Sequence, residues 1–285
     1  MAQINWFPGH MKKTLEQIQA ILKLIDIAII LVDARAPLTS TNPELIKLLN
    51  NKPKIYLLNK SDLAEKATTQ AWIEHYASLD IPALAINATT FKTSDLIKKI
   101  DQLMAAKVQR QAAKGMTNRP VRVAIMGIPN VGKSTLINTI AKRKAMKVEN
   151  RAGVTKALKW IKLANNLELL DTPGILWPKF EDQAIAAKIA MLGGIKETIL
   201  PSDILAINII KFMTQNHLNK FNDFFKIDTK AVTDDQAVQN VLEMIARKRG
   251  LIVKANKINQ PAVESLVIRE FQNGAFGPVS LESPK

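Results

Sequence analysis

The chain has 285 residues, 47% of them hydrophobic, enough to bury one large core or two ordinary ones. It carries no cysteine, which excludes disulfides and thiolate metal sites, and its strongest apolar run, Ile27 to Val32, is too short to span a bilayer. The net charge of +15 is concentrated in residues 101–165, where 14 Lys/Arg meet 2 Asp/Glu, and so lopsided a segment points to a polyanion as partner, nucleic acid or membrane surface.

The opening from Met1 to His10 has no basic stretch leading into an apolar segment, so no secretory signal and a cytoplasmic location are expected. A helix is expected over about Met11–Leu24. Ile27–Asp33 is a continuous apolar run ending in a polar residue, the pattern of a parallel strand buried on both faces. Lys54–Asn59, Ala83–Asn87 and Val121–Gly127 repeat it. Helical stretches fall between them: Asn42–Asn50 with Pro43 near its start, Ala64–Ser78, and Thr93 to about Ala113. Lys133–Lys142 reads as a further helix. Leu158–Leu163 and Leu167–Asp171, joined through Asn165-Asn166, read as a hairpin adding an antiparallel edge strand. This alternation predicts an α/β fold, a mostly parallel sheet with helices on both faces, over residues 1–178. After Pro178 strand signals nearly vanish. Ala184–Leu192, Ser202–Met213, Asp234–Arg247 and Pro261–Gln272 have helical spacing, so a small all-helical domain is expected over 179–285.

Three strand ends carry polar motifs. Gly127-x4-Gly132-Lys133-Ser134 lies between a strand and a helix, the context of a phosphate loop, whose glycines let successive backbone N–H groups turn onto phosphate oxygens. Pro129, Asn130, Val131 and Thr135 complete this loop. Lys133 is expected to neutralise β/γ-phosphate oxygens and Ser134 to ligate Mg²⁺. Asn130 either braces the loop or, like an asparagine in some GTPases, helps hold a monovalent cation near the phosphates.

Asn59-Lys60-Ser61-Asp62 suits guanine, because the Asp62 carboxylate can accept N–H bonds from both N1 and the 2-amino group. Adenine offers neither, and a site built on hydrogen bonds rejects a ligand that leaves them unmade. Asn87-Ala88-Thr89, after the next strand, is the expected backbone contact to the guanine carbonyl. In Asp171-Thr172-Pro173-Gly174, Asp171 is expected to hold Mg²⁺ through water and the Gly174 N–H to meet the γ-phosphate. Thr155, in a polar loop, is the candidate switch threonine and second Mg²⁺ ligand. GTP and GDP are thus the implied substrate and product.

The order of these motifs is rotated. Ordinary small GTPases place the phosphate loop first and Asn-Lys-x-Asp last; here the guanine tetrapeptide precedes the phosphate loop. The residue after Asp-x-x-Gly, often a water-orienting glutamine, is Ile175, which cannot hydrogen-bond. The rotation puts the Met11–Leu24 helix in the switch-II place, bringing Phe7-Pro8-Gly9-His10 towards the γ-phosphate. His10 is then a candidate to orient water or carry positive charge, against the plainer reading of a surface or capping histidine. His75 and His217 are read as structural.

With these residues assembled, the chain closely resembles the circularly permuted bacterial ribosome-biogenesis GTPases of the YlqF/RbgA family. The resemblance runs nearly end to end and includes Phe7-Pro8-Gly9-His10-Met11, Asp33-Ala34-Arg35-x-Pro37, the permuted motif order and Asn273-Gly274-x-x-Gly277. It implies a cytoplasmic GTP hydrolase acting late in assembly of the large ribosomal subunit, contacting the subunit precursor and its ribosomal RNA and stimulated by that particle; a monomer is expected. It also implies a catalytic role for His10, a hydrophobic residue at Ile175 in place of glutamine, a potassium preference consistent with Asn130, support of the structure near the switch by Asp33-Ala34-Arg35, and RNA binding by the helical tail. A nucleotide-gated RNA-binding module and a membrane-surface GTPase are the competing classes. The second lacks an amphipathic anchor or lipidation signal.

Overall fold

The structure, a computed structural model, describes residues 16, 18–50, 52–116, 119–151, 158–163, 166–172, 182–195 and 200–284, with the backbone alone for 142–151, 158 and 159. The chain divides into a larger unit, Trp6–Lys179 with Glu282–Lys285, and a smaller unit built mainly on Phe180–Leu281.

The larger unit is organised around a seven-stranded sheet. Its strands are β1 (Ile27–Asp33), β2 (Lys54–Asn59), β3 (Ala83–Ala85), β4 (Val121–Met126), β5 (Ala145–Arg151), β6 (Leu158–Leu163) and β7 (Leu167–Asp171), in the order β3-β2-β1-β4-β7-β6-β5. β1 runs parallel to both neighbours, with Ile30 in register with Tyr56 on one side and Met126 on the other. β4 and β7 are parallel, whereas β6 is antiparallel to β7 and β5.

Every residue of β1 is buried, which is why its sequence shows no alternation. Ala28, Ile30 and Val32 join Tyr56, Leu58, Ala124 and Met126 on one face, covered by helical residues 18–22 and by α1 (Pro43–Leu49) and α2 (Lys66–Ser78) through Leu45, Leu49, Trp72 and Tyr76. The other face is covered by α3 (Thr93–Ala112) and α4 (Lys133–Lys144): Leu96, Ile97, Ile100 and Ile140 close over Ile29, Val123 and Leu169. Each such side chain contributes about 1.5–3 kcal/mol of burial, so this centre anchors the strand ends where the polar motifs lie. The start of α1 is set locally. The Asn42 side chain accepts from the N–H groups of Glu44 (3.0 Å) and Leu45 (3.3 Å), and Pro43 follows it with φ already fixed for a helix.

The smaller unit contains α5 (Gln183–Met191), α6 (Ser202–Asn216), α7 (Leu218–Phe225), α8 (Asp235–Arg249) and α9 (Gln260–Gln272). α6 packs against the other four. Asp234 caps α8 through Ala237 N–H (2.8 Å), and Gly250, at φ 69°, ends it in the left-handed region that glycine reaches without cost. Phe221, Phe225, Phe271 and Phe276 form its aromatic centre. Two differences from expectation appear here. α7 is an additional helix, and a small hairpin of β8 (Ile252–Val253) and β9 (Lys257–Ile258) interrupts the helices. In the larger unit the edge strand is β5, not a member of the 158–171 hairpin, and β3 stops at Ala85.

Candidate functional site

The parallel strands all deliver their polar residues to one edge. Asp33 and Asn59 are register partners at the ends of β1 and β2, and Asp171 lies beside Ile125 near the end of β4. β2 and β3 lie on one side of β1, and β7 on the far side of its neighbour β4. The crevice at the carboxyl ends of β1 and β4 is therefore a topological switch point, where open α/β sheets bind ligands.

Asn59 ties three segments together. Its buried side chain donates to the Val131 carbonyl in the phosphate loop (2.8 Å) and accepts from Ala88 N–H (2.9 Å) in the loop after β3. The residue that opens the guanine tetrapeptide thus braces the phosphate loop and the Asn87-Ala88-Thr89 segment at once. The closeness explains Gly132, at φ 101°, where a Cβ would come within 2.3 Å of Asn59 Nδ2. Gly127 has a second reason: its Cβ would meet the Leu31 carbonyl of β1 at 2.4 Å.

Around this brace the remaining phosphate-loop residues face outward. Ser134 and Thr135 are exposed at the start of α4, Pro129, Gly132 and Lys133 are half-buried, and Asn130 is exposed at φ 58°. The side chain of Val131 points inward, so this residue serves the site through its backbone. Burial pushes the Lys133 ammonium below its usual range, and the nearby Asp171 carboxylate partly opposes the shift. Thr172 donates to the Ile125 carbonyl (2.5 Å), pinning the end of β7 to β4.

Two features of the guanine corner bear on how a base would bind. Asp62 is exposed, because it sits on the turn after β2, where Ser61 N–H bonds the Ile86 carbonyl and Leu63 N–H bonds that of Lys60. Burial of this carboxylate would come from a bound base. The N–H groups of Ala88 and Thr89 are engaged, with Asn59 and with the Asn87 side chain (3.0 Å), so a base carbonyl held here would share or displace one of those bonds.

A charged cluster went unread as part of this corner. Asp33 is buried and accepts from the Arg35 backbone N–H (3.1 Å), Nε (3.0 Å) and a terminal nitrogen (2.9 Å). Lys60 of the guanine tetrapeptide lies 3.1 Å from Oδ2, the oxygen that also accepts from the Arg35 terminal nitrogen. Burial alone would raise the Asp33 carboxyl, but the Arg35 charge and hydrogen bonds, with Lys60, outweigh it and hold the group below the usual carboxylate range. The visible signal was an aspartate closing a wholly apolar strand with an arginine two residues on. His10, Thr155, Pro173, Gly174 and Ile175 lie outside the described residues.

The comparisons with known proteins agree with this geometry. The family described as RsgA GTPase matches residues 10–181, and the one described as 50S ribosome-binding GTPase matches residues 122–257. Ribosome biogenesis GTPase A of Bacillus licheniformis is 40% identical over 283 residues, covering 99% of both chains. That of Priestia megaterium is 41% identical, covering 99% of this chain and 97% of its own. The chain belongs to the ribosome biogenesis GTPase A family. It is a GTP hydrolase of ribosome biogenesis with a circularly permuted phosphate-loop domain. Two solved structures, GDP-bound YlqF and GNP-bound YlqF from Thermotoga maritima, each superpose with a TM-score of 0.67 at 26% identity. They cover 94% and 96% of this chain and 99% of their own. Among the described residues no helix is long and apolar enough to cross a membrane.

Proposed function

We propose that this GTPase hydrolyses GTP on a precursor of the large ribosomal subunit, late in its assembly, and contacts ribosomal RNA while doing so. The observation that carries the nucleotide assignment is the Asn59 brace, which joins the guanine tetrapeptide to the phosphate loop and sets base and phosphate recognition at a fixed spacing. In this reading Asp62 accepts from the guanine edge, the backbone of Asn87-Ala88-Thr89 meets its carbonyl, and the loop N–H groups from Pro129 to Thr135 cradle the phosphates. Lys133 neutralises oxygens between the β- and γ-phosphates. The donor set of Ser134 and Asp171, a hydroxyl and a carboxylate, fits Mg²⁺, which keeps several waters and binds through few protein oxygens plus phosphate. Bound there, Mg²⁺ supplies charge neutralisation. Thr155 completes this set when GTP is bound, the Gly174 N–H meets the γ-phosphate, and Asn130 helps hold potassium.

Hydrolysis requires a group to orient water, and Ile175 cannot. His10 takes that role. His10→Ala is expected to slow turnover on the particle by about ten-fold or more while leaving nucleotide affinity nearly unchanged, since the residue acts on water and not on the ground state. Single-turnover rates beside GDP affinities check this; equal turnover of mutant and wild type returns His10 to a structural role.

RNA contact draws on the charge of residues 101–165, to which the phosphate-loop domain itself contributes. The alternative basic run at the end of α8 has internal commitments, as do Lys107 and Arg119 with Asp26 and Arg122 with Glu168 in the 101–165 stretch. Arg247 pairs with Glu243 (2.6 Å), and Arg249 donates to the Phe224 carbonyl (2.8 Å) while lying over its ring. The functional test is sedimentation with large and small subunits in GDP or a non-hydrolysable GTP analogue. Co-sedimentation with the large subunit, stronger in the GTP state, is expected. Binding indifferent to both subunit and nucleotide would overturn the proposal.

A further inference from the structure

The chain re-enters the larger unit at its far end. Glu282 places both carboxylate oxygens on one residue of the loop after β1: Oε1 accepts from the Thr39 backbone N–H (2.9 Å) and Oε2 from the Thr39 hydroxyl (2.5 Å). Its backbone carbonyl accepts from Trp72 Nε1 (3.3 Å) in α2, and its charge adds to the burial and the neighbouring Tyr56 that raise the Tyr76 phenol. Thr39 and Ser40 are buried, although Leu38 beside them is 63% exposed. Glu282 is half-buried, and charge-assisted bonds of this kind are roughly twice as strong as neutral ones.

The loop it fastens leads directly to the guanine corner. Ser40 Oγ accepts from Asp33 N–H (3.0 Å) and donates to the Ala36 carbonyl (2.6 Å), so residues 33–40 close on themselves. Thr41 Oγ1 adds a bond to the Pro37 carbonyl (2.8 Å). At the start of that loop, Ala34 N–H bonds the Asn59 carbonyl (2.7 Å), and the Asp33 carboxylate holds the Lys60 ammonium at 3.1 Å. Lys60 stands two residues from Asp62, the group whose carboxylate must face a base. An ammonium on Asp33 is an ammonium kept off Asp62.

We propose that Glu282 is a positioning residue for guanine recognition, fastening the loop 34–41 so that Asp33 retains Lys60 and the Asp62 carboxylate is left to accept from the base. This rests on the nucleotide assignment above and adds to it a segment that joins the larger unit only at the end of the chain. Loss of the fastening frees the loop, Lys60 exchanges Asp33 for Asp62, and base discrimination falls while phosphate binding, which Glu282 does not reach, stays as it was.

The test uses the full chain and compares GDP with ADP by calorimetry or competition. Glu282→Ala is expected to raise the GDP dissociation constant about 5- to 10-fold, the lower range of site-to-site couplings, with ADP unchanged, so that the GDP-over-ADP preference shrinks by the same factor. Glu282→Gln should stay near wild type, because its amide can still accept from Thr39 N–H and donate to the Thr39 hydroxyl. Thr39→Val combined with Glu282→Ala should be no worse than either alone, as expected for two ends of one contact. Wild-type GDP affinity and preference in Glu282→Ala, or an equal loss for GDP and ADP, overturns the inference and leaves Glu282 a structural fastening. A wild-type protein with no preference for GDP over ADP would instead overturn the nucleotide assignment beneath it.

Discussion

Asp62→Asn is expected to lower GTP affinity by about 100-fold or more and to raise affinity for xanthosine triphosphate. The carboxylate offers two acceptors to the guanine edge; an amide offers one acceptor and one donor. Its donor faces the guanine 2-amino group, also a donor, so one bond is lost and an unfavourable pairing replaces it. Xanthine carries a carbonyl at that position and matches the amide. Sites built on such bonds discriminate by roughly 10⁴–10⁵, so a loss of 100-fold lies within what the geometry can supply. Competition between GTP and xanthosine triphosphate measures it. Unchanged GTP affinity with no gain for xanthosine would remove Asp62 from the site. Because Asp62 is exposed on a turn, the fold should not suffer, and the mutant's thermal unfolding without nucleotide should match wild type.

Lys133→Ala carries the second large effect. A charge-assisted contact is worth about 1.5–3 kcal/mol, so triphosphate affinity should fall roughly 10- to 150-fold. The unliganded protein should behave differently. Burial holds the folded pKa of Lys133 below the ordinary 10.5, so at neutral pH the charged lysine opposes folding. That penalty fades as pH rises through the folded pKa towards the unfolded one. The alanine variant should therefore melt no lower than wild type without nucleotide, while losing most of the stabilisation that saturating GTP gives by mass action. Thermal shift with and without GTP reads both quantities; ordinary GTP affinity in the variant would dismiss the phosphate-loop role.

What could be read from residues alone divides along physical lines. β1 and β2 were legible to the residue because burial on both faces leaves unbroken apolar runs, and Asn42-Pro43 marked the start of α1. β5 was not, since Ala145–Arg151 carries Lys147, Glu149 and Arg151, and an edge strand needs no apolar face to pair through its backbone. α7 is only eight residues long, and β8 and β9 have two residues each, too short for a period to show. Within the site, the motif letters identified Asn59, Lys60 and Lys133 but not their mutual geometry. That Asn59 spans to Val131, and that Lys60 leans on Asp33, follows from strand register. The pairing of Thr39 with Glu282, 243 positions apart, leaves no local trace.

The position of β1 has a consequence for the protein's own manufacture. It needs β2 on one side and β4 on the other, yet β4 begins only at Val121. At about 5–20 residues per second, the ribosome delivers that second neighbour roughly 5–20 s after Asp33 has been polymerised. For that interval one backbone edge of an Ile-rich strand is open while its β2 edge can already pair. This chain makes its base-reading half before its phosphate loop, so a nucleotide held by both can steady the nascent sheet only once residues 127–134 have left the exit tunnel.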